Sequence, residues 1–198
     1  MTQLIPRFYD VAAGRITVNG LDVQAWDLAA LRHQIAFVPQ TAVLFHGTSR
    51  ENLQWGKADA TDEGCFQALE TAQCREFVEK LPEGLDTMVM ENGKNFSGGQ
   101  RQRLTIARAL IRKPHLLILD DSLSALDYQT DLDLRQALAR DLDSAMIIIS
   151  QRVRSIQQAK EIIVIDSGRL VGKGTHEALL LSSPEYQAIV ASQEEEHD

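Results

Sequence analysis

The sequence predicts an α/β fold built on a mainly parallel sheet, and three stretches carry that expectation. Leu116-Leu117-Ile118-Leu119 is apolar without alternation, is introduced by Pro114 and ends in Asp120 and Asp121. A run of this kind reads as a strand covered on both faces, as the strands of a parallel sheet are. Ile35-Ala36-Phe37-Val38 has the same character and delivers Pro39 and Gln40 to its end. Between the two, Phe96-Ser97-Gly98-Gly99-Gln100 opens into a helix-forming run over residues 101–110. A length of 198 residues suits one domain with a real core.

Taken in order, Gly14-Arg15-Ile16-Thr17-Val18-Asn19-Gly20 reads as a short strand bounded by turns. The buried strand at residues 35–38 follows. Thr61-Asp62-Glu63 marks a helix start, with a capping hydroxyl and an acidic first turn. Phe66, Leu69 and Ala72 then fall at helical spacing and form an apolar stripe for the core. Cys65 and Cys74 lie in the same helical stretch without metal-ligand spacing, which predicts buried, reduced thiols. Beyond Asp121, residues 128–142 form an amphipathic helix, and Met146-Ile147-Ile148-Ile149 forms a strand leading to Gln151 and Arg152. Residues 162–171 carry the turn chemistry of a hairpin. Thr175 caps a last helix, and Glu194-Glu195-Glu196 is a solvated acidic tail. His33, His46, His115, His176 and His197 show no ligand spacing, so structural or surface roles are expected.

Two of these stretches carry chemistry. A helix N-terminus bears about half a positive charge and several unpaired N–H donors, so it suits an anionic phosphate. Gly98 and Gly99 let such a ligand approach the backbone with no Cβ in the way, and Ser97 adds a hydroxyl. Ligands of open α/β sheets gather at the carboxyl ends of the strands, where Asp120 and Asp121 stand. The first carboxylate can hold Mg²⁺ through its water shell, and the second can orient or deprotonate a water. Two adjacent aspartates repel unless a cation or a partner offsets them.

Together these segments resemble the nucleotide-binding domain of an ATP-binding-cassette (ABC) transporter, over nearly the whole chain. Phe96-Ser97-Gly98-Gly99-Gln100 is similar to the signature loop of the family, usually Leu-Ser-Gly-Gly-Gln, with Phe in the first place. Leu116 through Asp120 resembles the Walker B strand, Ser124-Ala125-Leu126-Asp127 the D-loop, and Val38-Pro39-Gln40 the Q-loop. Residues 87–91 resemble the stretch with which exporters touch their membrane domain, and Phe45-His46-Gly47-Thr48 followed by Arg50-Glu51-Asn52 points to the exporter subgroup. The resemblance implies a truncated P-loop NTPase with a RecA-like core and an inserted helical subdomain over about residues 46–105. It implies nucleotide contacts from Gln40, Ser97, Gly98, Gly99, Gln100 and Asp127, with Mg²⁺ held through Gln40 and Asp120. Asp121 and Gln151 take the catalytic positions. ATP and Mg²⁺ would act in a dimer with a second cassette, attached to a transmembrane domain.

Two departures from the family pattern stand out. A phosphate cradle needs Gly-x-x-x-x-Gly-Lys-Ser/Thr. The Gly-Lys pairs at 56–57, 93–94 and 172–173 are followed by Ala58, Asn95 and Gly174, so none supplies the hydroxyl. The chain is therefore expected to be a C-terminal piece of a longer protein or a truncated reading frame, inactive on its own. The second departure is chemical. Hydrolysing members carry Glu after the Walker B aspartate, whereas this chain has Asp121, whose carboxylate is withdrawn by roughly 1.5 Å, about one carbon–carbon bond. They carry His after the next strand, where this chain has Gln151, which donates a hydrogen bond but cannot become cationic. With the signature loop intact, the pattern resembles the degenerate half of a heterodimeric exporter.

A net charge of −8 counts against a nucleic-acid binder, which would carry a basic face. No apolar run reaches the roughly 18–20 residues of a membrane span. The expected location is the cytoplasmic face of the cell membrane, reached through a transmembrane domain outside these residues, with the 198 residues alone soluble. The alternatives are a soluble cassette ATPase of nucleic-acid or ribosome metabolism, and an inactive remnant.

Overall fold

The computed structural model describes residues 1–194, which form two compact units, residues 1–149 and 150–194. In the first unit, β1 (Thr17–Val18) and β2 (Leu21–Asp22) form a two-residue hairpin. The strand expected over residues 14–20 shortens to this pair because Asn19 and Gly20 turn through left-handed backbone at φ 51° and 79°. α1 (Leu28–Gln34), capped by Asp27, leads directly into β3 (Ile35–Val38). β4 (Gly47–Thr48) and α2 (Ser49–Gln54) follow, then α3 (Asp62–Thr71), α4 (Arg75–Glu79) and β5 (Met88–Val89), which pairs antiparallel with β4. α5 (Gly98–Leu110), β6 (Leu116–Asp120), α6 (Tyr128–Asp141) and β7 (Ala145–Ile149) complete the unit.

β3, β6 and β7 lie parallel in that order, with Val38 opposite Leu119 and Asp120 opposite Ile149. The period-2 geometry of a strand divides their residues between two cores. Ile35, Phe37, Leu116, Ile118, Ile147 and Ile149 join Leu31 of α1, whereas Ala36, Val38, Leu117, Leu119 and Ile148 face the helices. Both faces are covered, which is why the apolar runs do not alternate. The helix-facing core is continuous from these strands through Leu53, Leu69, Val78, Leu85, Phe96 and Leu104. Thus the helical stretch 46–105 shares its core with the sheet.

Local signals hold as read. Thr61 caps α3 by accepting from the Gly64 N–H, and Leu69 and Ala72 are fully buried while Phe66 is half-buried. Cys65 and Cys74 are free and buried, although Cys74 is the N-cap of α4 and not inside a helix. Arg50 ties α2 to Asp62 of α3 and, at 2.9 Å, to Asp86.

The second unit holds α7 (Val153–Ile156), the hairpin β8 (Ile162–Asp166) and β9 (Arg169–Gly174), α8 (His176–Ser182) and α9 (Pro184–Glu194). Ser167 and Gly168 make its two-residue turn with positive φ, the geometry that suits the twist of a hairpin. Thr175 caps α8, but α8 is not the last helix. Ser183 and Pro184 start α9, with Ser183 Oγ accepting from the Tyr186 N–H at 3.3 Å. The expected acidic tail falls largely on Glu195 and Glu196, which with His197 lie outside the described residues.

Candidate functional site

The parallel register sets the carboxyl ends of β3 and β6 side by side, so that Gln40 and Asp121, 81 residues apart, meet. Gln40 Nε2 donates to Asp121 Oδ2 at 2.7 Å. Asp121 sits in left-handed backbone at φ 48°, a conformation that Asp tolerates better than most residues. Its N–H donates to the Ile149 carbonyl at 2.9 Å, and its carbonyl accepts from Ser124 Oγ at 2.7 Å. Asp120, half-buried, ends β6 beside it. Two carboxylates and an amide oxygen are hard donors that fit Mg²⁺, which keeps several waters and takes its remaining oxygens from phosphate. No third His, Cys, Asp or Glu gathers with them into a metal-binding group among the described residues.

The signature stretch starts α5 with a capping box. Ser97 Oγ accepts from the Gln100 N–H at 3.2 Å, and Gln100 Oε1 accepts from the Ser97 N–H at 2.9 Å. The two side chains thus brace the helix end that the sequence reading left as bare donors. A Cβ on Gly98 would meet nothing within 4 Å, and its φ is not positive, so nothing inside the chain calls for glycine there. Gly99 lies against the Ala125 carbonyl and Leu126, each 3.6 Å from where its Cβ would be. The signature and D-loop segments are therefore neighbours.

Asp127 caps α6, its Oδ1 accepting from the Thr130 N–H at 3.0 Å and its Oδ2 from Thr130 Oγ1 at 2.8 Å. These bonds hold the Asp127 carboxyl below the usual carboxylate range. A lowered folded pKa means the cap contributes fully above the unfolded value of about 3.9 and is lost as pH falls through the folded one. Acid titration should therefore release the Thr130 amide only below about pH 4. NMR of that amide checks this, and Asp127→Asn should abolish the pH dependence while keeping a cap.

Gln151 is the second residue of the second unit. It is exposed, and its backbone carbonyl accepts from Gln193 Nε2. Two further residues brace neighbouring segments through contacts that the sequence does not show, although Asn52 stands in the exporter-like stretch. Asn52, buried, holds the Phe45 N–H and carbonyl at 2.9 Å each. Gln102, also buried, reaches the Pro39 carbonyl. The available signal was an amide on the apolar face of a helix. A cavity of about 280 Å³ lies beside them, lined by Pro39, Phe45, Trp55, Thr105 and Arg108 among others. Arg108 stacks its guanidinium over Phe45 and donates to the Val43 carbonyl at 2.8 Å, and burial pulls its pKa down.

Similarity to known proteins agrees with this arrangement. Residues 1–124 match the family described as ABC transporter. The chain is 45% identical over 191 residues to the ABC transporter ATP-binding protein YfiB of Bacillus subtilis (strain 168), covering 96% of this chain and 33% of YfiB. It is 40% identical over 190 residues to the ATP-dependent lipid A-core flippase of Desulfotalea psychrophila (strain LSv54 / DSM 12343), covering 96% of this chain and 33% of the flippase. It superposes on a bacterial Atm1-family ABC exporter with ATP bound at a TM-score of 0.93 and 36% identity, covering 97% of this chain and 34% of that one. The chain spans about a third of the length of these relatives. By its motifs, its sheet and this match, the chain belongs to the ABC transporter family.

Proposed function

We propose that the chain serves as the ATP-binding cassette of an ABC exporter, which couples ATP binding and hydrolysis in a cassette dimer to transport across a membrane. The observation that carries this reading is Gly98, a glycine in the first turn of α5 with open space where its Cβ would be. Glycine costs a helix about 0.5–1 kcal/mol relative to alanine, so its presence without an internal reason is consistent with a ligand that approaches from outside the chain. A phosphate of ATP held by a second cassette fits that position, with Ser97 and the helix end as donors. Phe45, Trp55, Met88 and Met90 are exposed and supply apolar surface for a transmembrane domain. The membrane attachment belongs to that domain, since no helix among the described residues is long and apolar enough to cross a membrane.

The site at this chain's own strand ends is of the degenerate type. Asp120 and Gln40 would hold Mg²⁺, Asp121 stands short as a general base, and Gln151 of the second unit takes the place in the sequence where, by the family resemblance, hydrolysing members carry a histidine for the γ-phosphate. The cassette that pairs with it is catalytically competent. Misplacement of about 1 Å can cost around 10²-fold. Asp121→Glu combined with Gln151→His in the parent transporter should therefore raise hydrolysis at this site by up to about 10²-fold. Single-site turnover of the reconstituted protein checks this, and an unaltered rate removes the degenerate assignment.

A further inference from the structure

Gln102 is 1% exposed, and with Thr105 it is one of two buried polar residues of α5. Thr105 is satisfied within its own helix, Oγ1 donating to the Arg101 carbonyl at 2.9 Å. Gln102 instead reaches out of the helix, and its Nε2 donates to the Pro39 carbonyl at 3.4 Å. An amide buried without a partner is costly, so this contact fixes where the side chain lies. Pro39 has no N–H and a locked φ, which leaves its carbonyl as the handle at that position. The carbonyl shares a planar peptide unit with the nitrogen of Gln40. Holding that oxygen therefore fixes where the Gln40 Cα stands, from which the side chain reaches Asp121 at 2.7 Å.

We propose that Gln102 is a positioning residue that aims Gln40 at Asp121 and ties both to the signature helix α5. A displacement of α5 is then delivered to Gln40 through one side chain. Since Ser97 and Gly98 stand at the start of that helix, phosphate docking at one composite ATP site is felt at the metal- and water-handling residues of the other. This second step rests on the proposed function, whereas the contact among Gln102, Pro39 and Gln40 does not.

The test uses the full-length parent transporter carrying Gln102→Met, which keeps the length of the side chain but cannot donate. Without nucleotide, solvent exchange of the Gln40 side-chain amide, bonded to Asp121 at 2.7 Å, should quicken roughly five- to tenfold, as expected for one lost hydrogen bond, while the backbone amides of residues 104–110 of α5 stay unchanged. With ATP, kcat should fall while KM for ATP moves less than about twofold, because uniform binding is untouched. Gln102→Met added to Gln40→Ala should cost nothing beyond Gln40→Ala alone, a non-additivity that a merely structural role would not produce. Should Gln102→Met fail to fold, Gln102→Leu, which removes the donor without burying a charge, is read in the same way. Unchanged exchange of the Gln40 side-chain amide, or additive losses in the double variant, overturns the proposal. A parent protein without ATPase activity overturns the proposed function instead, and the exchange measurement still decides the role of Gln102.

Discussion

Ser97→Arg, and separately Gly98→Asp, should abolish most of the ATPase activity of the reconstituted transporter, while Asp121→Ala should remove much less. The asymmetry follows from where each residue would act. Ser97 and Gly98 stand at a helix end whose partial positive charge suits phosphate, and the first glycine leaves its approach open. Bulk at one position or a carboxylate at the other occupies or repels what must come there. Asp121 belongs to the site expected to hydrolyse slowly, so its loss costs little of the total. A Cβ on Gly98 meets nothing within the chain, so Gly98→Ala should leave Tm unchanged or raise it by up to about 2–4 °C, which separates function from stability. Steady-state ATPase beside a melting curve decides the matter. Equal losses from the signature and Asp121 variants would mean two equivalent sites and would end the heterodimeric reading.

Gly56→Ala should do the opposite, weakening the fold itself. A Cβ there would stand 2.1 Å from the Arg108 carbonyl oxygen and 2.7 Å from Ile111 Cγ2, with the Leu53 carbonyl at 3.1 Å. The nearest obstacle is helix backbone, which cannot swing aside as a side chain end can. Overpacking usually costs about 1–3 kcal/mol, and a contact against main chain belongs at the upper end or beyond. About 3 kcal/mol corresponds to a fall in Tm of roughly 6–12 °C for a chain of this size. Differential scanning calorimetry of Gly56→Ala measures it, and a Tm within a degree of the parent would contradict the packing. Gly56 precedes Lys57 in one of the failed Gly-Lys pairs, so its glycine has a packing reason and not a phosphate one.

What could be read from the sequence was local. The two unalternating strands, the Thr61 cap and the Ser97–Gln100 pair are each written within a few residues, and periodicity or capping rules suffice to find them. Asp120 and Asp121 follow from the rule that ligands gather at strand carboxyl ends, whereas the roles of Gln40 and Asp127 come from motif resemblance, which says what stands where but not what it touches. The Gln40–Asp121 bond depends on the register of β3 against β6 and was beyond any local rule. So were the Asn52 clasp on Phe45 and the Gln102 contact, both made by amides buried through packing. The antiparallel pairing of Gly47–Thr48 with Met88–Val89 is too short to leave a pattern. The start of α9 was legible, since Ser183-Pro184-Glu185 places a cap before a first-turn proline, but the reading stopped one helix early.

The cysteines have a practical consequence. Both are buried, and burial pushes both thiols above their ordinary pKa, Cys74 far above it, so at neutral pH neither presents the thiolate that alkylating reagents attack. A cysteine introduced on the exposed surface, at Thr41 beside Gln40 or at Ala125 against Gly99 of the signature loop, is then the one that a maleimide finds. Fluorophores or spin labels can report on separations between the two motif clusters in the unaltered background, with no need to delete Cys65 or Cys74 and disturb the core they fill.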